Sequence, residues 1–217
     1  MILKENDYKC KLDAFVKAYL FQKGEYEPER EQSFAPALCN RIDRNTGGIV
    51  ILAKNAEALR IMNEKIRNDE IRKFYYCIVR GEPKVKRATL TGWLKKDSAN
   101  NTVRVFDKKV DGSKNIITKY NVLTAKNGES LVEVELVTGR THQIRAHMAH
   151  IGHPLVGDGK YGVNRDDKRR GYKFQALYAY KLKFAFENGD GLLGYLNGKT
   201  VSLDKNEIWF IKDFENG

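Results

Sequence analysis

Proline is scarce in these 217 residues, with only 4, and cysteine scarcer, with 3. So little proline excludes collagen-like and polyproline tracts. Cys10, Cys39 and Cys77 are odd in number, far apart and form no CxxC pair, which excludes a disulfide framework and a four-thiolate zinc site. They are expected to be small buried hydrophobes in a reducing compartment, the cytoplasm. No apolar run approaches the ~20 residues that cross a bilayer, IVILA (49–53) being among the longest. The chain opens with no charged-then-apolar leader before a small-residue cleavage site, so no secretory signal is expected. A GxxxxGK[ST] phosphate loop, a GxGxxG turn after a strand and a GxSxG elbow are all missing. An enzyme built from this chain is therefore expected to work with side chains alone, without a cofactor.

What the sequence has is positive charge and enough apolar residues for a core. Lysine and arginine number 39 against 28 acidic residues, a formal charge of +11, and 41% of residues are hydrophobic. The cations are spread along the chain, with denser patches at Lys108–Lys109 and in RDDKRRGYK (165–173). This excess points to a polyanionic partner, most simply RNA or DNA. At ~150 residues per domain, one domain spanning 1–217 is expected, with residues 1–36 packed on it as helix and loop.

Leu12, Phe15, Val16 and Leu20 recur at helical spacing in KLDAFVKAYLFQKG, and GEYEPEREQ follows as a polar stretch. NRIDRNTGG (40–48) is rich in turn formers, GIVILAKN (48–55) reads as a buried strand, and 56–68 as an amphipathic helix. Strands follow at 73–81, 88–96, 102–106, 117–125 and 130–139, with KKVDGSKN (108–115) as a basic loop and KNGE (126–129) as a hairpin turn. RTHQIRAHMAHIG (140–152) returns to helical period, with Ile144, Met148 and Ile151 on one stripe and Gly152 placed to cap its end. Strands at 175–186, 198–203 and 207–211 complete the pattern. The fold class is α+β: a mostly antiparallel mixed sheet with a few flanking helices.

Asp43 sits in a turn between Arg41 and Arg44 and ahead of a strand, where a carboxylate can be held at a cleft, although turn aspartates of this kind commonly serve as caps. In TGRTHQIRAH (138–147) a Gly-Arg-Thr break opens a helix and brings Arg140 and Arg145 toward one place, with His142 and Arg145 three apart on one face. Such an arrangement suits an anion or a buried carboxylate, as an ordinary basic helix does too. All four histidines fall between 142 and 153 at spacings of five, three and three, without the HExxH pattern. They are expected to serve in packing, capping or RNA contacts, with no metal bound. Tyr75 and Tyr76 alternate on a strand, so only one of them can reach a site beside Lys73.

In register, these segments resemble the RluA-type family of RNA pseudouridine synthases. NRIDRNTGGIVILAKN is similar to that family's H-R-L-D-x-x-T-S-G-L-L-L-x-A-K motif, and KFYYCIVRG to its K-x-Y-x-x-x-V-x-G strand. TGRTHQIRAHMAHIGHPLVGDGKYG is close to its third motif, and QALYAYKLKF resembles its L-H-A strand. Asn40, Ile42 and Gly47 depart from the first motif, and no K-P-x-G strand or accessory N-terminal RNA-binding domain is found. The resemblance implies the pseudouridine synthase catalytic fold and isomerisation of specific uridines in RNA, most directly large-subunit ribosomal RNA, by a cytoplasmic monomer. It implies Asp43, Tyr75 and Arg145 as catalytic residues, with Arg145 holding Asp43 ionised and Tyr75 stacked on a flipped uracil. Arg41, Arg44, Thr46, Lys73, Arg140 and His142 are implied as RNA contacts. The competing expectations are a catalytically weakened RNA-binding or ribosome-assembly protein of the same fold and, more remotely, a histidine-metal hydrolase.

Overall fold

The computed structural model describes residues 12–30, 33–187 and 191–216, so Cys10 lies outside the described residues. Helix α1 (Leu12–Gln22) is followed by three two-residue strands, β1 (Ala37–Leu38), β2 (Gly47–Gly48) and β3 (Leu52–Ala53), and by helix α2 (Ala56–Arg67). The long strands come next: β4 (Ile71–Arg80), β5 (Arg87–Asp97), β6 (Thr102–Phe106), β7 (Lys114–Lys126) and β8 (Glu129–Leu136). Helices α3 (Gln143–His150) and α4 (Arg165–Arg169), strands β9 (Leu177–Phe184) and β10 (Thr200–Ser202), and helix α5 (Trp209–Asn216) complete the order.

The main sheet runs β10-β9-β4-β8-β7-β5-β6, antiparallel throughout, and β2 joins β9 as its parallel pair. This is the α+β arrangement expected of the alternating runs. Local chemistry sets the ends of elements. Asn55 caps α2 by accepting from Ala58 N–H at 2.8 Å, and Lys65 and Arg67 lie in its last turn. Asn127 and Gly128, at φ 52° and 74°, make the two-residue turn joining β7 to β8.

Alternation along β4 divides the core. Tyr75, Cys77 and Val79 face one way, packing with Val132, Val134 and α3 residues Ile144 and Met148. Phe74 and Ile78 face the other way, under Ile208, Phe210, Ile211 and Phe214. Met62 of α2 meets Ile71, Leu182 and Phe184 at the end of β4 and β9. Val16 and Leu20 of α1 bury against Tyr26, as their spacing predicts. Cys77 is fully buried, whereas Cys39 is only half-buried.

Two strand expectations are corrected. GIVILAKN is not one buried strand: Ile49 N–H donates to Ala179 O, while Ile51 O accepts from Cys39 N–H, so the segment passes its backbone bonds from β9 to β1 and only β2 and β3 pair. EIWFI (207–211) is not a strand: Glu207 ends a short 3-10 turn and residues 209–211 open α5, because Phe210, Ile211 and Phe214 bury together on one helical face. A short apolar run does not distinguish strand from helix.

Candidate active site

Asp43 lies on the loop that enters β2, and the loop is held by bonds of its own. Thr46 N–H donates to Asp43 O at 3.0 Å, and Asn45 takes a left-handed φ of 67°. The Gln175 amide donates to Arg44 O at 2.7 Å and to Thr46 Oγ1 at 3.2 Å. Asn40 fixes the preceding turn by accepting from Ile51 N–H at 2.7 Å. Gly47 and Gly48 let the loop lie flat on β9: a Cβ on Gly47 would stand 2.4 Å from the Tyr178 ring, and one on Gly48 2.1 Å from Ala179 O.

Opposite this loop stands Arg145 on α3. Its Nε and Nη2 donate to the two oxygens of Asp158 at 2.7 and 2.8 Å, and the remaining nitrogen, Nη1, lies 3.5 Å from Asp43 Oδ2. The Asp158 side chain is fully buried, the Arg145 side chain is 8% exposed, and that of Asp43 is 22% exposed. Burial works against the charge on Arg145, but the Asp158 bonds and the Asp43 carboxylate outweigh it and hold the guanidinium above its ordinary pKa. Asp158 is held below its ordinary value against its burial by Arg145 and by the Lys160 and Tyr161 amides. The Tyr161 ring lies 5.2 Å from the Arg145 guanidinium carbon, and its hydroxyl meets His142 Nδ1 at 2.8 Å and accepts from Val103 N–H at 2.9 Å.

Tyr75 enters from β4. The β4–β9 register shifts between Phe74 and Tyr75, where β9 carries the extra residue, Tyr180. Tyr75 is 7% exposed, and burial, aided by the negative charge of Asp43, pushes its phenol well above the ordinary tyrosine range. Tyr76 faces the other side and stacks on Tyr180 with centroids 3.8 Å apart. The structure thus brings Asp43, Tyr75, Arg145 and His142 into one cluster and adds Asp158 and Tyr161, which the sequence reading did not single out. Their signal was the Gly-Asp-Gly-Lys-Tyr-Gly turn within the third motif.

The other expected residues divide by exposure. Arg41, Arg44 and Arg140 are exposed. Thr46, expected as an RNA contact, is 7% exposed, and its hydroxyl is occupied by Gln175, so it holds the loop instead of lining it. Lys73 is 9% exposed. His142 does not share a helix face with Arg145: it precedes α3 in a left-handed conformation at φ 52°. Each histidine has its own partner: Tyr161 for His142, Thr118 for His147, Asp107 for His150 and the Arg80 carbonyl for His153. An open groove of about 720 Å³ runs past Lys160 and Tyr161 to Arg80 and Val163, beside the charge cluster and not over Asp43.

Comparison with known proteins gives a consistent result. A family model described as RNA pseudouridylate synthase matches residues 1–150. An RNA pseudouridine synthase of Mycoplasma genitalium is 40% identical over 158 residues, 70% of this chain and 48% of that protein. The ribosomal large subunit pseudouridine synthase C of Vibrio parahaemolyticus is 34% identical over 164 residues, 74% of this chain and 51% of the relative. The chain thus spans about half the length of these curated relatives. Among solved structures, human RNA pseudouridylate synthase domain containing 1 superposes with a TM-score of 0.65 at 21% identity, covering 97% of this chain and 94% of that one, which shows a shared fold.

Proposed function

The chain belongs to the RNA pseudouridylate synthase family, and from that premise we propose that it converts specific uridines of RNA to pseudouridine, with Asp43 as the catalytic carboxylate. The observation that carries this reading is the Asp43 carboxylate 3.5 Å from the free arm of Arg145, beside the buried Tyr75 phenol. We take large-subunit ribosomal RNA as the substrate class, because the Vibrio relatives carry that designation. The reading further takes the chain as a single catalytic domain acting as a cytoplasmic monomer, where its free thiols Cys39 and Cys77 stay reduced.

The chemistry asks for what this cluster has. The ribose C1′–N1 bond breaks, the uracil turns, a C1′–C5 bond forms, and C5 loses a proton while N1 gains one. Electrons balance without an external donor, so no cofactor is required. Asp43 supplies the nucleophile or base, with the Arg145 guanidinium 3.5 Å away as its counter-charge. Tyr75 offers a ring face to the extruded uracil, and its raised pKa keeps the phenol protonated, so it takes the C5 proton only as it passes on its own. Extruding the uridine costs a few kcal/mol, least in loops. Arg41, Arg44, Arg140 and His142 line the approach to the displaced nucleotide.

Release of tritium from ribosomal RNA labelled at uridine C5 tests the reading. The wild-type protein is expected to release label, and Asp43→Asn to lose at least ~10²–10⁴-fold in rate. Undiminished release by Asp43→Asn would remove Asp43 from the chemistry. RNA affinity in a wild type that releases no label would make the chain a binding protein of the same fold.

A further inference from the structure

Lys73 is a charge the chemistry above leaves unused. It lies two residues from Tyr75 along β4, on the same face of the strand, opposite Leu136 at the end of β8. It is only 9% exposed, yet its ammonium forms no hydrogen bond or ion pair among the described residues. Burial pulls its pKa below the ordinary lysine value, and only the Asp69 charge works the other way. A mostly buried lysine whose ammonium has no acceptor is costly, and proteins rarely keep one unless a ligand completes it. The side-chain nitrogens and oxygens sealed from both solvent and partners are Asn45 Oδ1 and Arg80 Nε among the described residues. Lys73 Nζ is not one of them and therefore keeps an opening outward.

That opening faces the turn leading into α3. A Cβ on Gly139 would stand 3.9 Å from Lys73 Nζ, so the ammonium rests against a residue with no side chain to fill the space between them. The Gly139 amide donates to no protein acceptor among the described residues, and Gly139 itself is exposed. Three residues on, His142 stands at the entrance of the catalytic cluster, at the positive end of α3. An ammonium and an amide with no protein acceptor lie side by side here, one strand repeat from the tyrosine on which the uracil would stack. This combination suits a singly charged phosphodiester, which offers acceptor oxygens to both donors.

We propose that Lys73 and the Gly139 amide bind a backbone phosphate directly flanking the extruded uridine, and so set how deeply that nucleotide enters. The inference rests on the RNA-isomerase reading of the same site and names the part of the substrate that Lys73 takes. Lys73 here is a positioning residue for the nucleotide and takes no part in the bond exchange.

Titrations of the full chain with uridine, uridine 5′-monophosphate and uridine 3′-monophosphate provide the test. One monophosphate is expected to bind the wild type about tenfold tighter than uridine, the scale of one charge-assisted contact. Lys73→Gln should abolish that preference. Gly139→Ala, which leaves the lysine in place and crowds it only at van der Waals distance, should narrow it, and it keeps the question open to measurement if Lys73→Gln fails to fold. Which monophosphate gains identifies the side of the nucleotide. A phosphate preference that survives Lys73→Gln, or no preference in the wild type, overturns the site. If Lys73→Gln releases tritium at the wild-type rate with unchanged nucleotide affinities, this site falls and the isomerase reading stands. Loss of the preference in Lys73→Gln, with a wild type that releases no label from ribosomal RNA, supports the anion site while the isomerase reading falls.

Discussion

Arg145 is shared between two carboxylates, and the sharing is unequal. Asp158 takes two guanidinium nitrogens at 2.7 and 2.8 Å, leaving Nη1 at 3.5 Å from Asp43. The tight pair fixes the orientation of the guanidinium, and the longer contact leaves Asp43 the less constrained of the two carboxylates. A bidentate pair holds its plane where a single bond would let it swing. Asp158→Asn keeps the side-chain shape but loses the charge and one acceptor. Its kcat is expected to fall by about 10–100-fold with KM little changed, since the residue acts through Arg145 and touches no RNA. A purely structural role would lower the melting temperature and leave the kcat of the surviving folded protein intact, so kcat measured well below the melting transition separates the two.

At the scale of elements, α3 carries the site because it is stitched to the sheet by buried polar groups. Gln143 donates to Ile117 O and Thr118 Oγ1 and accepts from Arg140 N–H and Thr138 Oγ1. One turn later, His147 Nδ1 meets Thr118 Oγ1 at 3.0 Å, and burial pulls its pKa down from 6.5 to about 4. In the unfolded chain that imidazole titrates near ~6.5, so between the two values the unfolded state binds more protons and stability falls as pH drops. The shift corresponds to about 3 kcal/mol lost between roughly pH 6.5 and 4, with no contribution from this group above that window. Denaturant titrations of His147→Asn should show a correspondingly shallower loss over the same range. Identical pH slopes in variant and wild type would exclude His147 as the cause.

Over the whole molecule, the sheet separates two jobs. One face carries α3, the Asp43 loop and Tyr75; the other is closed by Ile208, Phe210, Ile211 and Phe214. The exposed Arg41, Arg44 and Arg140 stand around the first face, in a chain with a formal charge of +11. Ribosomal RNA binding should therefore weaken linearly in log–log terms as salt rises. Four phosphate contacts would give a slope of about −3 for single-stranded RNA, and replacing Arg41 by glutamine should flatten it by about 0.7. A salt-independent affinity would count against a polyanionic substrate.

The residues that could be read in the chain were those in ordered local patterns. Alternation gave away β4 through β9, the period of α2 and α3 followed from Met62, Ile144 and Met148, and Asp43, Tyr75 and Arg145 stood out by motif. Side-chain periodicity is a property of neighbours in sequence, and it survives folding. Three matters were decided only in three dimensions. The first is the fate of short apolar runs: 209–211 turns helical because Phe210, Ile211 and Phe214 find the uncovered sheet face. Another is the tolerance of Gly47, where the Tyr178 ring occupies the space a side chain would need. The last is the partnership of Arg145 with Asp158, thirteen residues away around a turn, together with the isolation of Lys73 beside Gly139. Charge pairing and burial depend on distances between segments that meet only when the sheet closes, and no local pattern encodes them.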